Sequence, residues 1–313
     1  MNSVPISKLP EGGNVIMFGG KGGVGKTTCT AATALHCARQ GQKTLVITTD
    51  PTPSLSHIFE LNGKNRITRV EENLFFSELG QTEVTEMWDR KFGHEMHDVF
   101  SSVVSIGYDE FSEFMTSVLP GLADEFIVDF TRELWAGREY QTIVWDTAPM
   151  GQTLALLKTP SLLSKHLRVA PRIYSRLKVG DRSNEPVLNI LRRWERLSAE
   201  NMDFLRIHVK VTLVTIAEAL AVAQLDSILN ELRSGGLEAR QVIINNVVKD
   251  DGSDFLRTRA AQQRDYLALI REKCSRLKIV EVPFFPLEIR GLDKLEKVAE
   301  VLFSADGSVS TVG

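Results

Sequence analysis

An α/β fold with a mostly parallel sheet is predicted by three observations. Strand-like and helical segments alternate along the chain. Several strands are apolar almost without interruption, as Val242-Ile243-Ile244 and Thr142-Ile143-Val144-Trp145 show. Strands buried on both faces of a parallel sheet read this way, and alternation of strand and helix is the pattern of α/β architecture. Third, a glycine-rich turn joins the first strand to the first helix, where such folds bind ligands.

The elements follow in order. Val15-Ile16-Met17-Phe18 makes a strand over 14–18, and a helical stretch over 28–40 follows the turn. Strands are predicted over 43–49, 73–79, 142–146, 209–215, 241–247 and 278–283. Helices are predicted over 217–233, 259–276 and 292–303, the first stopped by Gly235-Gly236. Two stretches break the alternation. Residues 81–137 carry helical periodicity through Met87, Trp88, Phe92, Met96, Val99, Phe100, Val103, Val104, Phe111, Phe114, Met115, Val118 and Leu119. Residues 161–207 are again helical, interrupted by a polar turn near 180–186. The predicted organisation is therefore a sheet domain from 1–80, 138–160 and 208–313, with an inserted helical subdomain from 81–137 and 161–207. Two readings of the insertion stand side by side: a groove for an apolar helix, or a core of its own.

Composition bounds the function. The chain has 313 residues, 43% hydrophobic and 25% charged, the balance of a soluble globular protein. A net charge of −3 supplies no global field toward nucleic acid or anionic lipid, so no nucleic-acid partner is expected. Residues 1–13 lack the apolar run of a signal peptide, and no stretch approaches a membrane span, so a cytoplasmic location is expected. Cys29, Cys37 and Cys274 form no CxxC pair. Cys29 and Cys37 fall about 12 Å apart along one helix, too far for a disulfide or a shared metal. They read as buried small hydrophobes in a reducing compartment.

The chemistry is concentrated in Gly19-Gly20-Lys21-Gly22-Gly23-Val24-Gly25-Lys26-Thr27-Thr28. The spacing Gly20-x-x-x-x-Gly25-Lys26-Thr27 is a phosphate-binding loop, placed between a strand and a helix as the motif requires. Its backbone N–H groups converge on phosphate oxygens, and the helix presents its positive end to the same anion. Lys26 would reach the outer phosphates, and the Thr27 hydroxyl would bind Mg²⁺. Lys21 is a second lysine, on the outer rim of the loop, where it could meet phosphate held by a partner subunit.

Two carboxylates end predicted strands. Asp50, in Thr49-Asp50-Pro51-Thr52-Pro53-Ser54, sits where it could orient an attacking water, with prolines stiffening the following loop as a first switch. Asp146 ends the fourth predicted strand, in Asp146-Thr147-Ala148-Pro149-Met150-Gly151-Gln152-Thr153, as a carboxylate of the Mg²⁺ shell, directly or through water. Gly151 would place a backbone N–H near the γ-phosphate as a second switch.

Together these segments resemble the family of arsenical-pump ATPases and tail-anchored-protein targeting ATPases. The resemblance continues in Ile216-Ala217-Glu218-Ala219, Ile244-Asn245-Asn246 and Glu288-Ile289-Arg290-Gly291-Leu292, and covers nearly the whole chain. The phosphate loop alone would be shared with partition and septum-site ATPases and with the nitrogenase iron protein. The 146–153 and 288–292 segments favour this branch.

The resemblance implies a phosphate-loop nucleotidase fold and Mg²⁺-dependent ATP hydrolysis by a homodimer. It implies that Lys21 crosses the dimer to the partner's ATP and that Asp50 activates water. Asn245 would contact adenine, with Pro283 near the base, and Glu218 would lie across the dimer near the nucleotide. The segment Pro120-Gly121-Leu122-Ala123-Asp124-Glu125 resembles a loop that links nucleotide state to the helical subdomain. The implied client is the hydrophobic transmembrane segment of another protein, delivered to a membrane receptor. The alternative is the ATPase subunit of an arsenite or oxyanion efflux pump. A partition or septum-positioning ATPase fits less well, since the last helix is followed by an uncharged tail.

Three departures bear on the choice. Targeting members often bind zinc through a CxxC after the strand holding Asn245, where this chain reads Lys249-Asp250-Asp251-Gly252-Ser253-Asp254-Phe255-Leu256, so zinc is not expected. Pump ATPases sense arsenite through cysteines of the helical region, and residues 81–207 contain none. Pro53 and His57 stand where many members carry His and Asp. His94 and His97, three apart, could share a helix face, as metal ligands or as a solvated surface.

Overall fold

The computed structural model describes residues 14–48, 54–61, 66–80, 122–147, 187–250 and 252–304, with shorter pieces between 83 and 110. Eight strands form one sheet in the order β3-β4-β2-β5-β1-β6-β7-β8. They are β1 (Asn14–Gly20), β2 (Thr44–Thr48), β3 (Thr68–Glu71), β4 (Leu74–Glu78), β5 (Thr142–Asp146), β6 (Val209–Ile216), β7 (Ala239–Val247) and β8 (Lys278–Pro283). Every neighbouring pair is parallel except β3 with β4. β1, β2 and β5 are buried at every position, which is why they read as unbroken apolar runs.

β3 is the strand the sequence did not announce. It lies at the sheet edge, and Thr68-Arg69-Val70-Glu71 has no apolar run because none of it is fully buried. The turn at Glu72-Asn73 between it and β4 was the available hairpin signal.

Among the described residues the helices are α1 (Lys26–Arg39), α2 (Leu55–Phe59), α3 (Leu122–Gly137), α4 (Val187–His208), α5 (Ala219–Ser234), α6 (Asp254–Lys273) and α7 (Leu292–Phe303). A short π-helical turn covers Asp89–Gly93. α6 begins five residues before the predicted 259, because the Ser253 side chain caps it by accepting from the Leu256 N–H at 3.2 Å. Among the described residues no helix is long and apolar enough to cross a membrane.

α1 can lie close to the sheet because its inner face is small. Cys29, Ala31, Ala32, Ala34 and Leu35 are buried in one core with Ile16 and Phe18 of β1 and Val46 of β2. Leu295, Val298, Ala299 and Leu302 of α7 complete that core, and the His36 ring of α1 stacks on Phe303 at 3.8 Å. Burying each such Leu or Val contributes roughly 1.5–3 kcal/mol, so the α1–α7 face anchors the loop that precedes α1.

By contact the chain divides into two compact units: Met1–Glu78, Leu134–Gly151 and His208–Gly313 in one, Leu79–Glu133 and Gln152–Ile207 in the other. The second unit, taken by itself, holds a buried carboxylate. Asp129 on α3 is bonded by Lys91 of the π turn and by Arg132 Nη2 at 2.9 Å, and Arg132 Nη1 also reaches Glu200 of α4 at 2.9 Å. Buried charges persist when paired in this way. His94 stacks on the Tyr108 ring at 4.5 Å and His97 meets it edge-on at 5.1 Å, so both histidines pack on an aromatic ring. Met87 is buried. The side chains of the remaining apolar positions predicted between 88 and 119 lie outside the described residues, as do Pro120 and Gly121.

Candidate functional site

The site forms where the strand order reverses. From β1 the chain runs through α1 toward β2 on one side, while β6, β7 and β8 extend the other. Ligands bind outside the C-terminal ends of parallel strands at such a point. The register brings those ends level: Phe18 of β1 lies opposite Asp146 of β5, and Asp146 lies opposite Thr48 of β2.

The loop after β1 carries Lys21 to Gly25, and α1 starts at Lys26. Gly22 and Gly23 are exposed, while Val24 is buried and pins the loop. Gly25 takes φ +89°, a left-handed conformation costly for any residue with a Cβ. A Cβ there would also lie 2.2 Å from Asn245 Nδ2. That amide donates to the Val24 carbonyl at 3.0 Å, so Asn245, at the end of β7, holds the loop from beneath. Gly25→Ala is therefore expected to displace Asn245 and lower ATP affinity at least about tenfold, checked by equilibrium titration.

Lys26 is only 6% exposed, and its Nζ donates across the loop to the Lys21 carbonyl at 3.1 Å. Lys21 itself is half-buried at the start of the turn. The first turn of α1 carries no acidic residue and no side-chain cap, so its positive end faces the loop unneutralised. Thr27 Oγ1 donates to Asp146 Oδ2 at 2.7 Å, closing a sequence separation of 119 residues. Thr48 Oγ1 donates to the same oxygen at 3.3 Å. Thr28, the next residue of α1, is half-buried. Thr147 ties the end of β5 to β1 through its hydroxyl, 2.8 Å from the Phe18 carbonyl.

Cys29 lies one turn into α1. Burial, and then the negative charge of Asp146, push its thiol up to about 12. It is an inert packing group at neutral pH.

The structure thus gathers Gly20, Lys21, Gly22, Gly23, Val24, Gly25, Lys26, Thr27, Thr28, Asp146 and Asn245 at one end of the sheet. Glu218 stands at the N-cap position of α5 without a side-chain cap, and it pairs with Arg259 Nη2 of α6 at 3.1 Å, both partly exposed. Pro283 ends β8 opposite Val247 and is half-buried. Asp50 and Pro53 lie outside the described residues, as does Gly151. His57 lies exposed on α2. Thr48 and Arg259 carry no signal in the sequence, and Thr147 stands out only as part of the 146–153 motif. Thr48 closes an apolar strand, but only the β2–β5 register sets it beside Asp146.

The arrangement fits a nucleotide phosphate and its cation. A hydroxyl and a carboxylate meet at the first turn of an uncapped helix, and hard oxygen donors of this kind suit Mg²⁺. A buried lysine beside them supplies positive charge where phosphate oxygens would gather.

The chain matches the anion-transporting ATPase family over residues 13–304. It is 28% identical over 304 residues to "Putative arsenical pump-driving ATPase 2" of Aquifex aeolicus, covering 92% of this chain and 98% of that protein. It is also 28% identical over 307 residues to "ATPase get3" of Neurospora crassa, covering 92% of this chain and 89% of that protein.

Proposed function

This chain belongs to the anion-transporting ATPase family, and we propose that it is a homodimeric targeting factor. In this reading ATP state governs its hold on the hydrophobic, tail-anchored segments of membrane proteins. ATP hydrolysis itself follows from the family. Identity does not choose between the two kinds of relative, since both stand at 28%. The choice rests on the cysteines. Arsenite is thiophilic, so a pump subunit that senses it needs accessible thiols. Cys29, Cys37 and Cys274 are all buried. Desolvation pushes Cys29 and Cys37 up to about 12 and Cys274 up to about 11, so none supplies thiolate at neutral pH.

The proposed division of labour starts at the loop. Backbone N–H groups of residues 20–28 hold the phosphates, and Lys26 places its charge among them. Thr27 and Asp146 hold the cation, with Thr48 fixing the carboxylate. When bound, Mg²⁺ offsets negative charge on the phosphate oxygens. Asp50 orients the attacking water and accepts its proton. Lys21 reaches the ATP of the partner subunit. Asn245 and Pro283 lie toward the base, and Glu218 toward the dimer interface. The helical unit presents the client surface.

Co-expression with a reporter tail-anchored protein, then purification with and without ATP, tests the proposal. A complex whose recovery depends on nucleotide is expected, with ATPase activity indifferent to arsenite. If no complex forms while arsenite stimulates turnover, the pump alternative replaces this reading.

A further inference from the structure

Asn245 stands in a kink of its strand. β7 pairs with β8 through Ile244 opposite Glu281, and again through Val247 opposite Pro283. Asn245 and Asn246 together therefore face the single residue Val282, which makes a β-bulge. Asn246 takes φ 55°, a left-handed conformation that asparagine adopts more readily than most residues. Bulges re-aim side chains and are over-represented beside functional sites. The side chain displayed by this one is the Asn245 amide, which donates to the Val24 carbonyl of the phosphate loop at 3.0 Å.

A bulge interrupts the ladder, and a glutamine side chain bonds the interrupted backbone. Gln263 of α6 is 4% exposed. Its Nε2 donates to the Asn246 carbonyl at 3.0 Å, and its Oε1 accepts from the Val248 N–H at 2.8 Å. These two partners fix which way the amide points. From the β8 side the Phe284 N–H donates to the Val247 carbonyl at 2.9 Å. The turn is thus gripped at three consecutive residues, by a helix and by the neighbouring strand. Gln263 and Ile270 are the buried positions of α6, seven residues apart and so on one face. An apolar side chain would serve packing there, whereas a buried amide is costly unless its hydrogen bonds are made. The bonds that Gln263 makes go to the turn beside Asn245.

We propose that Gln263 is a positioning residue for ATP binding. It holds the bulge of β7 in shape, so that the Asn245 amide supports the loop that receives the phosphates. The link is continuous: Gln263 bonds Asn246, Asn246 is the next residue to Asn245, and Asn245 bonds Val24. The proposal rests on the reading of residues 20–28 as the phosphate site.

The test measures equilibrium binding of a fluorescent ATP analogue and steady-state phosphate release on the full chain. Gln263→Met keeps the length of the side chain and removes both hydrogen bonds. It is expected to raise Kd about 5- to 50-fold, the span of one to two buried hydrogen bonds. KM should rise with Kd while kcat stays within about threefold, the pattern of a loss of binding alone. A merely structural role would lower thermal stability and the number of binding sites but leave Kd unchanged. Gln263→Glu keeps the oxygen that meets Val248 and loses the donor to Asn246. Its Kd should fall between, and it carries the test if Gln263→Met does not fold. Because Gln263 acts through Asn245, the two substitutions should not add. Once Asn245→Ala has raised Kd, adding Gln263→Met should raise it by less than about twofold more. A Kd within about twofold of the natural chain in the variant that carries the test overturns the proposal. So does full additivity with Asn245→Ala. Lys26→Ala separates this inference from the phosphate-site reading. If Lys26→Ala binds ATP as the natural chain does, that reading fails. If it weakens binding while Gln263→Met does not, the Gln263 assignment alone fails.

Discussion

Asp50→Asn is expected to abolish ATP turnover, by roughly 10²- to 10⁴-fold, while ATP remains bound. The amide has the size of the carboxylate but cannot accept a proton from water. The elements assigned to binding are elsewhere and stay intact: Lys26 at the head of α1, the Thr27–Asp146 pair, and Asn245 beneath the loop. Asp50 follows the end of β2 by two residues, and that end lies opposite Asp146 in the sheet register. Phosphate release and equilibrium binding of a fluorescent ATP analogue separate the two effects. A variant that turns over at the natural rate removes Asp50 from its role.

The parts of this site that were legible in the sequence are those set by local backbone need. The phosphate loop demands glycines at fixed spacing, and Gly25 shows why: its left-handed φ and the nearby Asn245 amide leave no room for a side chain. Strands such as β1, β2 and β5 announced themselves because burial on both sides favours continuous apolar residues. Asp146 stood out as the charge that ends such a run. What stayed hidden depends on register between distant strands. Thr48 is an ordinary threonine until β2 pairs with β5, and Glu78 is an ordinary surface acid until β4 brings it under α2. β3 and α2 were hidden for a related reason. One is a polar edge strand, and the other is a single turn whose stability comes from Glu78 and Gly291 rather than from its own five residues.

Lys26→Ala is expected to fail at the opposite step, by weakening nucleotide binding itself. The side chain is almost wholly buried, and its ammonium spans the loop to the Lys21 carbonyl. A buried cation is costly to hold unless anionic or polar groups meet it, and phosphate oxygens would be groups of that kind. Losing one charge-assisted hydrogen bond costs about 1.5–3 kcal/mol, roughly a 10- to 150-fold rise in Kd for ATP. The helix should survive. Alanine is the best helix former, and the Thr30 hydroxyl bonds the Lys26 backbone carbonyl at 2.8 Å, a contact the substitution leaves in place. Thermal unfolding without nucleotide should therefore stay near that of the natural chain, while the rise in melting temperature on adding ATP shrinks, because that rise depends on ligand concentration over Kd. An undiminished ATP-induced shift would mean that Lys26 does not meet phosphate, whatever the spacing of its glycines.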